Sequence, residues 1–127
     1  MVLDPSASAE ALSVLAVEDD AAVAYAIVSV LRGANCHVTP AGSVDEAFVA
    51  IASHPRAFDV IITDNNMPGG SGRDLVRRLR DSGYQGKVVV LSACVSPEEE
   101  TEYRELGVSE LVPKPFSLGQ LRRAVGL

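Results

Sequence analysis

The chain is predicted to be an α/β protein: five strands in a parallel sheet, with helices packed on both faces. Three observations lead there. Apolar runs such as Ser13–Val17, Val60–Thr63, Val88–Leu91 and Leu111–Pro113 are short and bounded by polar residues, as strands buried on both faces are. Segments that suit helices lie between them, several opened by capping residues and closed by glycine. The two patterns alternate along the chain as five βα units, and such alternation implies a parallel sheet.

Each element has its own signal. Residues 1–11, rich in Ala and Ser, are expected to form a flexible N-terminal tail, with one folded domain over 12–127. Asp20 is suited to cap a helix over Ala21–Arg32 that stops at Gly33. On a helical wheel Val23, Ile27, Val30 and Leu31 form its core stripe. Ala22, Tyr25, Ser29 and Arg32 then lie opposite, with Val28 at the border. His37–Thr39 reads as a short strand. Ser43 and Glu46 read as a capping box opening a helix to about Ser53. Phe58–Thr63 is a strand, and Gly69, Gly70 and Gly72 form a flexible loop before a helix over Arg73–Asp81. Lys87–Ser92 is a strand. Ser96-Pro97-Glu98-Glu99 combines an N-cap, a first-turn proline and a returning glutamate, so a helix runs from there to Leu106, before Gly107. Ser109–Pro113 is the last strand, and Ser117 starts a final short helix.

Composition narrows the function. An apolar fraction of 47% supports a real core. A net charge of −6 with scattered basic residues argues against nucleic acid as a direct partner. Arg77, Arg78 and Arg80 share one helix and read as a solvated face. No stretch reaches the roughly 18 consecutive apolar residues that a membrane span needs. The first residues carry no secretory pattern, and Cys36 and Cys94 make no disulfide framework. A reducing, cytoplasmic setting is expected.

The chemistry lies at the ends of the runs. Parallel strands bring their carboxyl ends to one edge, where ligands bind. Glu18-Asp19-Asp20 follow the first run, Asp64 follows Val60–Thr63, Ser92 follows Val88–Leu91, and Lys114 follows Leu111–Pro113. Clustered carboxylates repel one another unless a cation is present, and oxygen ligands of this kind suit Mg²⁺. With the metal and Lys114 offsetting charge, Asp64 can attack a phosphoryl group as a carboxylate nucleophile. Ser92 and Lys114 are then donors for the charge spread over the phosphoryl oxygens. Asp20 alone reads as a helix cap.

These residues resemble the receiver domain of two-component response regulators. The resemblance covers about residues 12–127. It rests on Val17-Glu18-Asp19-Asp20, on Thr63-Asp64-Asn65-Asn66-Met67-Pro68 with Gly72, on Leu91-Ser92-Ala93 and on Lys114-Pro115-Phe116. It implies a (βα)5 flavodoxin-like three-layer sandwich with strand order 2-1-3-4-5. It also implies that Asp64 is the phosphoacceptor, and that Glu18, Asp19, Asp64 and the main-chain carbonyl of Asn66 hold Mg²⁺. Ser92 matches the hydroxyl that contacts the phosphoryl group and Lys114 the lysine that pairs with it; the Lys114–Pro115 bond is expected to be cis. The family's phosphoryl donor is a phosphohistidine on a sensor histidine kinase or histidine phosphotransfer protein, with docking expected near the first helix at Tyr25. The resemblance implies no chemistry beyond self-directed phosphoryl transfer and autodephosphorylation, and it allows a homodimer.

Many relatives carry an aromatic residue three positions before the lysine, where its rotamer reports phosphorylation. Leu111 stands there in this chain, so a muted response is expected on the fourth-helix and fifth-strand face. The same residue leaves open a receiver-like interaction module regulated without phosphorylation. Two rivals fit worse. A haloacid dehalogenase phosphatase needs a second Asp where Asn66 stands, and an FMN protein needs a phosphate-cradling loop where Glu18-Asp19-Asp20 would repel it. Cys94 reads as a small wall residue near the site, His37 and His54 as surface or strand-end residues, and Tyr103 as packed or part of an output face.

Overall fold

The computed structural model describes residues 11–32, 35–54, 56–67 and 70–127. Residues 1–10 of the expected 1–11 tail, together with Gly33, Pro68 and Gly69, lie outside the described residues, while its last residue, Ala11, is buried.

The main sheet has strands β1 (Leu12–Val17), β2 (Cys36–Ala41), β3 (Val60–Asp64), β4 (Lys87–Ser92) and β5 (Glu110–Pro113). They lie in the order β2-β1-β3-β4-β5, and every neighbouring pair is parallel. Helices α1 (Ala21–Arg32), α2 (Val44–Ser53), α3 (Gly72–Asp81), α4 (Pro97–Glu105) and α5 (Leu118–Val125) complete the five βα units. The fold is the flavodoxin-like sandwich. No helix among the described residues is long and apolar enough to cross a membrane.

Side-chain alternation along the strands sorts the core into two layers. Val14, Ala16, Ile62 and Leu91 pack with Ile27 and Leu31 of α1 and with Leu121 and Val125 of α5. Leu15, Val17 and Ile61 turn the other way, against Val44 and Ala47 of α2 and Leu75 and Leu79 of α3. Val88 and Val90 meet Val76 and Tyr103 on that second face, under α4. The α1 stripe is as its period predicts: Ile27 and Leu31 are buried, Val23 and Val30 half-buried, and Ala22, Tyr25, Ser29 and Arg32 exposed.

Local signals mostly act as expected. Ser96 with Glu99 and Ser117 with Gln120 form reciprocal capping boxes. Ser43 accepts from Glu46 N, but the Glu46 carboxylate reaches back to Gly42 N at 2.8 Å, so the box is only half made. Strand β3 starts at Val60 instead of Phe58. Phe58 is buried in the core, and Asp59 accepts from Ser13 N at 2.8 Å.

Two expectations need correction. The glycine loop is tied down where it is described: Gly70–Ser71 pairs antiparallel with Asn66–Met67, and α3 starts at Gly72. Gly72 is buried, and a Cβ there would sit 2.4 Å from the Asp64 carbonyl oxygen, so close approach is what requires glycine. Of the α3 arginines read as a solvated face, Arg77 and Arg78 are exposed, but Arg80 is not free in solvent. Arg80 donates to the carbonyls of Leu106 at 2.8 Å, Tyr84 at 2.8 Å, Gly86 at 3.0 Å and Gly107 at 3.0 Å. Its rigid fork therefore ties the end of α3 to the turn after α4. The Arg78 guanidinium lies over the Phe48 ring at 4.1 Å.

Candidate functional site

Strand register brings the polar residues to one edge. Val17 pairs with Thr63, Asp64 with Leu91, and Ser92 with Pro113, so Glu18, Asp64, Ser92 and Lys114 leave the sheet side by side. Main-chain hydrogen bonds hold the exits: Glu18 N donates to Ala41 O at 2.9 Å, Asn65 N to Leu91 O at 2.9 Å, and Lys114 N to Ser92 O at 3.0 Å. The Lys114–Pro115 peptide is cis.

Glu18, Asp19 and Asp64 offer carboxylate oxygens that lie within 4.8 Å of one another. Glu18 and Asp64 are buried, whereas Asp19 is exposed. Lys114 Nζ sits 3.2 Å from Glu18 Oε1 and 3.2 Å from Asp64 Oδ1. Burial pushes the Glu18 carboxyl above the usual glutamate range, and the Asp64 charge adds to this; the Asp20 amide and Lys114 oppose it. Burial works against the Lys114 ammonium, but its hydrogen bonds and charge contacts with Asp64 and Glu18 prevail and hold it above the ordinary lysine value. Three carboxylates facing one ammonium leave negative charge uncompensated. All the acidic donors are hard oxygens, so the residues present fit Mg²⁺.

The remaining expected residues are less directly engaged. Ser92 is buried at the end of β4, but its hydroxyl donates to Cys94 O at 2.8 Å and accepts from Cys94 N at 3.1 Å. It closes a local turn and would have to rotate to meet a ligand. Asn66 is exposed two residues past Asp64, paired with Ser71. Asp20 caps α1 through Ala22 N at 2.9 Å and Val23 N at 3.2 Å. Cys94 is exposed and Leu111 half-buried. His37 is exposed, and His54 packs on Phe58 with ring centroids 4.1 Å apart.

Sequence reasoning missed the groups behind Asp64. Asn65 is 2% exposed, and its side-chain carbonyl accepts from the hydroxyl of wholly buried Tyr103 on α4. The signal was weak: a polar residue directly after a buried strand, with nothing to name its partner.

Beside the site, Ala22, Val23 and Ala26 of α1 and Lys114, Pro115 and Phe116 line an apolar groove of about 470 Å³. Tyr25, 75% exposed, is carried on the same helix.

Known proteins resemble this chain in sequence and fold. The family model of the response regulator receiver domain matches residues 14–126. The transcriptional regulatory protein CutR of Streptomyces coelicolor is 29% identical over 87% of this chain and 50% of its own length. QseB of Escherichia coli O157:H7 is 31% identical over 84% of this chain and 48% of its own. The chain thus spans about half the length of the curated relatives it matches. A response regulator receiver protein from Pseudomonas putida superposes with a TM-score of 0.84 at 29% identity, covering 91% of this chain and 95% of that one. The chemotaxis protein CheY4 of Vibrio cholerae gives 0.83 at 29% identity, covering 91% and 96%. The family model spans nearly the whole chain and the folds superpose, so the chain belongs to the response regulator receiver domain family of two-component systems.

Proposed function

We propose that this domain accepts a phosphoryl group on Asp64 from a phosphohistidine donor and so relays a two-component signal. One observation carries the reading: three carboxylates from two strand ends share a cluster with Lys114, which lies 3.2 Å from both Glu18 and Asp64. Glu18, Asp19, Asp64 and the Asn66 carbonyl would hold Mg²⁺. Its chemistry there is to neutralise the carboxylates and share the negative charge of the phosphoryl oxygens.

Asp64 attacks phosphorus with a carboxylate oxygen as the phosphorus–nitrogen bond breaks, and the electron pair leaves with the imidazole. The product is an acyl phosphate. Lys114 contacts one Asp64 oxygen and is positioned to follow the transferred charge. The Ser92 hydroxyl, once turned from Cys94, supplies a second donor. In acetyl phosphate and Mg²⁺ the chain is expected to gain one acid-labile phosphoryl group, which mass spectrometry detects. Asp64→Asn should abolish the gain while circular dichroism stays unchanged. Labelling of that variant at the parent's rate would assign the nucleophile elsewhere. A parent that never labels would favour the alternative module regulated without phosphorylation, for which half-buried Leu111 is the supporting feature.

The donor, a sensor histidine kinase or histidine phosphotransfer protein, is proposed to dock on α1 beside the apolar groove. Exposed tyrosine at an interface centre supplies area at small entropic cost. Tyr25→Glu is expected to slow transfer from the phosphohistidine partner about tenfold or more, with acetyl phosphate labelling unchanged. Equal slowing with both donors would mean damage to the site, and no slowing with either would remove Tyr25 from the interface.

A further inference from the structure

The buried contact behind the site joins Asp64 to α4. Asn65 is held by three hydrogen bonds. Its N–H donates to Leu91 O at 2.9 Å, and its carbonyl accepts from Gly72 N at 2.9 Å. Its side-chain oxygen accepts from the Tyr103 hydroxyl. Tyr103 and Glu99 both belong to α4, one turn apart. Glu99 accepts from Ser96 N at 3.0 Å, and the Ser96 amide, with Arg73 and Asn65, holds its carboxyl below the usual range.

The chain of contacts continues to α3. Arg73 Nε lies 3.8 Å from Glu99, and Arg73 Nη1 is 2.6 Å from Glu102. Arg77 also reaches Glu102, at 2.6 Å. Leu111 packs against the cluster of Val76, Val88, Val90 and Tyr103, but its side chain has no polar atom to reach the site.

We infer that the Tyr103 hydroxyl is a positioning contact for the phosphoacceptor segment, and that a change at Asp64 reaches α4 through Asn65 and Tyr103 instead of through residue 111. The inference rests on the phosphoacceptor reading. Asn65 is the peptide link between Asp64 and Asn66, two of the residues that would hold Mg²⁺, so a group that pins Asn65 also sets their spacing. A shift of that segment on phosphorylation must move or break the Tyr103 hydrogen bond, because a buried donor and acceptor in fixed walls have no water to replace each other. Coupling is reciprocal: whatever Asp64 does to α4, the α4 contact does to ligand binding at Asp64.

The test uses the whole chain, with beryllofluoride and Mg²⁺ as the phosphoryl probe and amide chemical shifts as the readout. In the parent, Thr63 and Lys114 should shift as the site fills, and Glu98–Leu106 should shift with them. Tyr103→Phe leaves the ring in the core and removes only the hydroxyl. It should still bind the probe, but the shifts over Glu98–Leu106 should fall by half or more. Its Mg²⁺ dissociation constant should change by about two- to tenfold, the range one hydrogen bond spans. Asn65→Ala cuts the same link from the other side and should give the same losses, and the double variant should lose nothing further. Undiminished α4 shifts in either variant, or additive losses in the double variant, would overturn the inference. So would a parent whose site fills while α4 stays still. A parent in which Thr63 and Lys114 never respond would instead refute the phosphoacceptor reading, and this inference with it.

Discussion

At Glu18 the site stores its electrical tension. The carboxyl is buried beside a second acid, and its raised affinity for a proton shows which side prevails. A carboxyl raised in the folded state costs nothing below its ordinary value near 4.5, where both folded and unfolded chains hold the proton. As pH rises through the raised value, the folded chain must bury a bare charge, and stability falls. Lys114 behaves in the same sense but far higher: its contribution is fully present at neutral pH and fades only as pH climbs through its raised value. Glu18→Gln is therefore expected to melt above the parent at about pH 7 in EDTA, by a few degrees. The gap should narrow toward about pH 4. Mg²⁺ should raise the parent more than the variant, by mass action on a better ligand set. Thermal melts across pH check this; a variant that melts below the parent in EDTA would show that the pairing with Lys114 outweighs the repulsion from Asp64.

Elements meet at Gly72, where helix and strand come closest. The first residue of α3 lies against the carbonyl of Asp64, and its N–H is bonded to Asn65 O. A methyl group there meets backbone on one side and the Tyr103 hydroxyl, at 3.1 Å, on the other. Gly72→Ala should lower the unfolding free energy by about 1–3 kcal/mol, the usual cost of overpacking. Urea titration measures it, and an unchanged midpoint would mean that α3 slides without cost. Arg80 works at the other end of the same helix. With its four carbonyl partners, it closes the loops after α3 and α4 together.

Over the whole molecule, legibility follows the range of the interactions. Features set by near neighbours were readable: the caps at Asp20, Ser96 and Ser117, the period of α1, and the apolar runs. The acidic edge was readable too, because parallel strands deliver their ends to one place whatever lies between them. Tyr103 and Asn65 stand 38 positions apart, and Arg80 reaches Leu106 across 26. Pattern along the chain carries no information about which polar atom meets which across layers. The glycine loop was misread for a related reason: freedom and close approach call for the same residue. The two core layers have a further consequence. α1 and α5 cover one face of the sheet, and α2, α3 and α4 cover the other. A donor seated on α1, as proposed, would sit across the sheet from α4, so delivery and response would not compete for one face. Nothing in the geometry obliges the donor to depart before the receiver of the message arrives.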